Sequence, residues 1–175
     1  MRTIGWIVAA SAFGIAGCAS SPATRQPAPP PTGPVVRQAP VSAATYVAQA
    51  ASIDLFVIRS SELALVRSQS ARIRDFAGRM IVAHQGTSAQ LSFAGRRLNL
   101  LPSADMLPQH EAMYDDLQSS GDFDAAYGRL QRAVHGAALS LHASFAAGGS
   151  SATLRPVATN AAAVERSHLQ MLSRF

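Results

Sequence analysis

The sequence predicts an all-α protein, a four-helix bundle with one longer connection that contains a short helix. From Ser42 onward, apolar residues recur at steps of three and four, and no segment shows the alternation typical of a half-buried strand. Alanine is abundant and aromatic residues make up only 6% of the chain, a composition that favours closely packed helices. A chain of 175 residues has room for one such domain, which we place at residues 42–175.

Four long amphipathic segments are expected to form the bundle. Their boundaries are marked by polar residues that cap helices and by glycine pairs that end them. The segments run from about Ala43 to Arg67, Ala71 to Leu98, Phe123 to Ala147, and Pro156 to near the C-terminus. Residues 99–121 form the longer connection, in which a short helix is expected from about Glu111 to Leu117.

Residues 1–17 are predicted to be a lipoprotein signal peptide. A basic residue precedes an apolar run that is shorter than the roughly 20 residues needed to span a bilayer. The run ends in Ile15-Ala16-Gly17-Cys18, which resembles the lipobox of bacterial lipoproteins. The resemblance implies cleavage before Cys18, the single cysteine of the chain, and attachment of lipid to that residue.

Residues 18–41 are predicted to tether the domain to this lipid. Seven of the ten prolines fall in this segment, and extended proline-rich chain of this length would reach up to ~70 Å. We therefore expect a protein anchored on the periplasmic side of the bacterial envelope, with a membrane contact through its lipid and an envelope protein as a further partner. Ala19 resembles the outer-membrane form of the lipoprotein sorting signal.

Several functional classes are excluded by composition and motif content. The net charge is +5, but the arginines are scattered among acidic residues, unlike the clustered basic residues of a nucleic-acid-binding surface. A lipidated Cys18 leaves no thiol for redox chemistry or thiolate metal sites. The chain also has no nucleophile elbow and no phosphate-binding glycine loop, so no catalytic residues are predicted.

Candidate metal ligands converge on a middle layer of the predicted bundle. With the loops near Ser68 and Gly149 placed at one end, five polar residues lie about 13 to 17 residues from it, or ~20 to 25 Å. These residues are His84, His135, His168, Glu165 and Asp54. Glu165 and His168 also have the Glu-x-x-His spacing that places both side chains on one helical face.

Two hypotheses account for this layer. In the first, buried imidazoles form ordinary hydrogen bonds, an Asp54–His84 pair satisfies both groups, and the bundle is a binding or structural module without cofactor. The alternative is a site for Fe, Zn or Cu with nitrogen and oxygen ligands, serving metal handling or oxidative-stress defence. A di-iron carboxylate site is not expected, because it needs a second Glu-x-x-His that the chain lacks. His142 and Gln131 are expected at the core boundary, and His110 in solvent.

Three groups of residues resemble the bacterial domain-of-unknown-function family 4142. They are Phe76-Ala77-x-x-Met80-x-x-x-His84, Gly121-x-Phe123-Asp124-x-x-Tyr127 followed by His135, and His168 near the end. The resemblance covers about Tyr46 to Leu172. It implies a ferritin-like four-helix fold, export to the envelope and no established general activity, with His84, His135 and His168 at the family's recurrent histidine positions.

The chain departs from this family at two positions. Ala83 stands where the family usually has an acidic residue before the first histidine, and Val57 falls where it has a glutamate in the first helix. Both departures remove carboxylates that could bind a metal. Asp54 and Glu165 are the carboxylates that remain near the three histidines.

Overall fold

The computed structural model describes residues 41–174, which form five helices and no strand. The helices are α1 Ala43–Arg67, α2 Ala71–Arg96, α3 Pro108–Ser119, α4 Phe123–Gly148 and α5 Arg155–Leu172. The all-α prediction is confirmed, and α3 is the short helix expected within the longer connection. The predicted signal peptide, Cys18 and nearly all of the predicted tether lie outside the described residues.

Short polar side chains fix the starts of three bundle helices. Ser42 accepts a hydrogen bond from the backbone N–H of Thr45, Ser70 from that of Ile73, and Asp122 from that of Ala125. Each bond satisfies one of the N–H groups that a helix leaves unpaired in its first turn. The α5 helix has a proline in its first turn instead, where no N–H is needed.

The end of α2 differs slightly from the prediction, because the chain turns at Gly95 before the last apolar residue of the pattern. The carbonyl of Gly95 accepts hydrogen bonds from the N–H groups of Leu98 and Leu100, both at 2.9 Å. A Cβ on Gly95 would overlap with the carbonyl oxygen of Leu100. Asn99 takes a φ of 55° in the same turn, so the helix ends at Arg96.

The order of the helices in the bundle corrects one assumption made from the sequence. The backbone N–H of Ala43, at the start of α1, donates to Ser150 Oγ beyond the end of α4 at 2.9 Å. At the other end of α1, Arg67 donates to the carbonyl of Ser120, just before α4, at 3.2 Å. Because α1 and α4 are therefore antiparallel, the loops near Ser68 and Gly149 lie at opposite ends of the bundle.

This arrangement requires the connection between α2 and α4 to run the length of the bundle. One such crossover is the topology of ferritin-like bundles, in agreement with the predicted fold. The expected middle layer survives the corrected topology because His135 lies near the midpoint of α4, and reversing a helix leaves its midpoint at the same depth. His84 likewise lies near the midpoint of α2.

The connection is attached to α1 by a buried hydrogen-bonded serine. Ser52 Oγ accepts from the backbone N–H of Leu107 at 2.7 Å and is hydrogen-bonded to His110 Nδ1 at 2.6 Å. His110 is only 8% exposed, so the expectation that it lies in solvent is wrong. The local sequence around His110 does not indicate this burial, because its hydrogen-bond partner Ser52 lies 58 residues earlier in the chain.

Two apolar clusters fill the core, one at each end of the bundle. The first contains Phe56, Phe76, Met80, Tyr127 and Leu172, and the second contains Tyr46, Leu91, Phe145 and Leu154. A layer of buried polar residues from α1, α2, α4 and α5 lies near the middle of the bundle, between the two apolar clusters. Within residues 41–174, no helix combines the length and apolar content needed to cross a membrane.

The substitution Ser52→Ala is predicted to destabilise the domain by about 1–3 kcal/mol, because it leaves the buried His110 Nδ1 and the partly buried Leu107 N–H without partners. Urea denaturation measures this difference. Ser140→Ala, on the exposed face of α4, is the matched control and should change the free energy of unfolding by less than about 0.5 kcal/mol. Equal stabilities of the two variants would contradict the role given to Ser52.

Candidate metal centre

Four side chains from three helices bring potential metal ligands together in the polar layer. They are His84 of α2, His135 of α4, and Glu165 and His168 of α5. One ligand atom from each residue lies within 4.8 Å of the ligand atoms of the other three. All four side chains are buried, with at most 4% of any residue exposed. The structure thus brings together four of the five residues predicted to bind metal.

Hydrogen bonds on the outer side of two imidazole rings orient them toward this cluster. His84 Nδ1 donates to Asp54 Oδ1 at 2.8 Å, and His135 Nδ1 donates to the backbone carbonyl of Gln131 at 2.8 Å. A proton on Nδ1 leaves the lone pair on Nε2, and both Nε2 atoms point into the cluster. Metal-binding histidines are commonly held in this way by a carboxylate or a carbonyl.

Asp54, the fifth predicted ligand, lies outside the cluster. Its carboxylate accepts hydrogen bonds from His84 Nδ1, from Thr87 Oγ1 and from Ser88 Oγ, the last two both at 2.9 Å. These bonds occupy the carboxylate on the far side of the His84 ring. Asp54 therefore orients the His84 ring, and its carboxylate is not one of the converging groups.

The cluster atoms themselves lack hydrogen-bond partners. The nearest approaches of the Glu165 carboxylate are 4.0 Å to His84 Nε2, 3.9 Å to His135 Nε2 and 3.9 Å to His168 Nδ1. All three nitrogens and Glu165 Oε2 are buried without a partner. Each such group costs about 1–3 kcal/mol when taken from water unpaired. Four of them converging on one point indicate a site for a shared cation.

Burial sets the protonation of the imidazoles in the cluster. It lowers the pKa of His135 to about 3, aided by the positive charges of His84 and His168, and lowers the pKa of His168 to about 4. Both rings are therefore neutral near pH 7, which is the form that binds metals.

The pKa values of the two remaining groups of the cluster, Glu165 and His84, are both raised. Burial raises the pKa of Glu165 to about 7, while the positive charge of His84 acts against this shift. Burial disfavours the charged form of His84, but its hydrogen bond to Asp54 and the charges of Asp54 and Glu165 outweigh this and raise its pKa.

The dimensions of the cluster fit a small transition metal ion. Ligand atoms about 2.0–2.1 Å from a tetrahedral Zn(II) ion stand about 3.4 Å from one another. The Glu165 carboxylate is 3.9–4.0 Å from the three imidazole nitrogens, and all the ligand atoms lie within 4.8 Å of one another. Their separations would have to shrink by about 0.5–1.4 Å to reach tetrahedral coordination. Three imidazoles and one carboxylate are a donor set found for zinc, copper and iron.

The residues that orient the His84 and His135 rings were not predicted from the sequence. Thr87 and Ser88 follow His84 by three and four residues, so their helical spacing was a usable signal. The Gln131 contact uses a backbone carbonyl, which any residue could supply, and the sequence carries no signal for it. The Gln131 side chain is fully buried, not at the core boundary, and its Nε2 donates to Ser60 Oγ at 2.8 Å.

The profile of one protein family, described as Domain of unknown function (DUF4142), matches residues 28–175. The chain belongs to this family. The match confirms the resemblance found in the sequence and extends it beyond the Tyr46–Leu172 segment. No curated protein matches the DUF4142 chain.

Two solved structures share the fold of this DUF4142 domain. CopM in the Cu(II)-bound form has a TM-score of 0.66 at 12% identity, over 78% of this chain and 96% of CopM. A DUF305 fragment from Deinococcus radiodurans has a TM-score of 0.64 at 16% identity, over 75% of this chain and 92% of the fragment. At these identities the likeness establishes the helical fold.

A further buried histidine makes the DUF4142 domain sensitive to acid. His142 Nδ1 is hydrogen-bonded to the hydroxyl of Tyr46 at 3.0 Å, and burial lowers the pKa of His142 to about 4. Its ordinary pKa in an unfolded chain is 6.5. Between these values the unfolded chain binds the proton more readily, so stability falls as the pH is lowered from 6.5 to 4.

The substitution His142→Gln is predicted to remove this part of the acid sensitivity, which amounts to about 3 kcal/mol between pH 6.5 and 4. A glutamine can still accept from Tyr46 but does not titrate. Urea denaturation at several pH values, in EDTA, measures the slope of unfolding free energy against pH for both proteins. Identical slopes would contradict the assignment, even if the variant were less stable at every pH.

Proposed function

We propose that this DUF4142 domain binds one transition metal ion through His84 Nε2, His135 Nε2, His168 Nδ1 and the Glu165 carboxylate. The observation that carries the proposal is the convergence of four buried ligand atoms within 4.8 Å, each without a hydrogen-bond partner. Two of the rings are held with their lone pairs directed inward. Among residues 41–174, no group forms a hydrogen bond with any of these four atoms.

The competing hypothesis, a module without cofactor, explains less of the site. An Asp54–His84 hydrogen bond does form, and it satisfies both of the atoms that make it. It leaves His84 Nε2, His135 Nε2, His168 Nδ1 and Glu165 Oε2 buried and unpaired. Since natural cores leave few such groups, a bound cation is the better account of the cluster.

The donor set favours Zn(II), Cu(II) and Fe(II), which imidazole and carboxylate ligands suit. The structure of CopM, which shares this fold, is of its Cu(II)-bound form. This supports copper as one ion that a bundle of this fold can bind. Four protein ligands form a closed site, whereas catalytic zinc keeps one position open. This closed arrangement supports a role in metal handling, such as scavenging or storage, over catalysis.

The proposed place of action is the periplasmic side of the envelope, at the outer membrane, through lipid on Cys18. The lipobox-like Ile15-Ala16-Gly17-Cys18 supports this location. Three acyl chains hold a protein to a bilayer durably, whereas one is marginal, at about 0.8 kcal/mol per buried methylene. A lipid-anchored bundle would handle metal at a fixed membrane.

The substitution Cys18→Ser is predicted to move the protein from the membrane fraction to the soluble fraction, because it removes the proposed site of lipid attachment. The circular dichroism spectrum of the bundle should remain unchanged. Fractionation together with labelling by radioactive palmitate tests the location. A Cys18→Ser variant that still takes up label and sediments with membranes would overturn it.

Removal of the single carboxylate ligand tests metal binding most sharply. Stripped wild-type protein should bind one Zn(II) or Cu(II) per chain and gain about 2.7 kcal/mol of stability when free ion is 100 times its Kd. Glu165→Gln should lose this gain. Its metal-free form should be at least as stable as wild type, because the substitution removes a buried unpaired acid.

Glu62→Gln is the matched control, because Glu62 is an exposed glutamate on α1 outside the cluster. It should bind and respond to metal as wild type does. Calorimetric titration gives the stoichiometry, and thermal unfolding gives the stabilisation. Wild-type protein that retains no ion and shows no shift in melting temperature with Zn(II), Cu(II) or Fe(II) would overturn the proposed function.

A further inference from the structure

The four proposed ligands differ in how firmly the protein holds them. His84 and His135 are each fixed by a hydrogen bond on the outer ring nitrogen. Glu165 and His168, both on α5, make no side-chain hydrogen bond to another described residue, and their cluster atoms are unpaired. One half of the site is therefore built into α1, α2 and α4, while the other half depends on where α5 lies.

The side-chain hydrogen bonds from α2 and α4 to the α5 segment lie near its C-terminal end. Close to its C-terminus, Arg132 of α4 donates to the carbonyl of Leu172 at 3.3 Å, and Arg72 of α2 donates to that of Arg174 at 2.9 Å. Leu154 is buried just before its first turn. In between, its buried apolar side chains are Ala158, Ala161 and Ala162. Alanine buries little apolar area, so the middle of α5 gains little from the hydrophobic effect.

A cleft of about 390 Å³ separates part of α5 from α2. Phe76 and Met171 are among the residues that line it, and none of the four cluster residues does. Phe76 is almost fully buried, and its ring centroid lies 6.3 Å from that of His135. The gap between α2 and α5 thus lies at the C-terminal end of α5, beside the hydrogen bond from Arg72 to the Arg174 carbonyl.

We propose that the metal ion fastens α5 to the bundle, and that local opening of α5 is the step by which the ion enters and leaves. This inference rests on the proposed function. Two of four ligands move with α5, and their separation from His84 and His135 leaves the ion half-coordinated. In the metal-free protein, the unpaired Glu165 and His168 favour the opening, because water then reaches both groups.

Hydrogen exchange measured by mass spectrometry tests the coupling in the full-length protein. Saturating Zn(II) should slow exchange of amides in the middle of α5 at least tenfold relative to the EDTA-treated protein. Amides near the midpoints of α1, α2 and α4 should slow by a smaller factor. The stoichiometry of Zn(II) in the same samples is read in parallel by native mass spectrometry.

A pair of alanine-to-glycine substitutions tests the release step. Ala163 of α5 and Ala137 of α4 are both exposed helical alanines, so glycine weakens each helix by the same intrinsic amount. Ala163→Gly should release Zn(II) to a chromophoric chelator about fivefold faster than wild type, the factor that matches a helix cost of about 1 kcal/mol. Ala137→Gly should release it at the wild-type rate.

The outcomes separate this inference from the function on which it rests. One bound Zn(II), protection concentrated in α5 and faster release from Ala163→Gly alone support both. One bound Zn(II) with equal protection of all four long helices, or with equal release from the two glycine variants, overturns the fastening of α5 and leaves metal binding standing. Wild-type protein that binds no Zn(II) overturns both.

Discussion

The hydrogen bond between Asp54 and His84 is the contact on which the candidate site most depends. It joins α1 to α2 in the core, selects the tautomer of the ring and directs the Nε2 lone pair toward α4 and α5. Thr87 and Ser88 hold the same carboxylate, so the ring has little freedom to turn. The Gln131 carbonyl does the same for His135, and the two fixed rings define the point that Glu165 and His168 approach.

The buried unpaired groups of this polar layer destabilise the folded state, and the apolar clusters on either side help to offset that destabilisation. Both clusters bury large side chains, including Phe76 and Tyr127 in one and Tyr46 and Phe145 in the other. They also exclude water from the layer, which strengthens interactions between charges there and makes an unpaired group more costly. A bound cation would satisfy four groups at once, so the low polarity that destabilises the empty site would favour the proposed metal-bound form.

Helix positions and four of the five residues expected in the middle layer were predictable because their signals are local. Ser70 and Asp122 mark helix starts, and Glu165 and His168 share a face through a three-residue spacing. Relations between distant segments were not predictable in this way. The relative direction of α1 and α4 depends on the crossover, and the burial of His110 depends on Ser52 in another helix. The sequence predicted that Asp54 lies beside His84. It could not predict that Asp54 contacts Nδ1 of the ring, because that depends on how α1 packs against α2.

X-ray absorption at the metal edge tests the central claim most directly, because it reports the atoms bound to the ion. For protein loaded with one Zn(II) per chain, the account predicts four nitrogen or oxygen ligands at about 2.0–2.1 Å. The multiple-scattering features should correspond to three imidazoles, and one imidazole should be lost in His135→Gln. A six-coordinate oxygen shell without imidazole scattering, unchanged by that substitution, would show that the ion binds elsewhere and would contradict the assignment of this cluster.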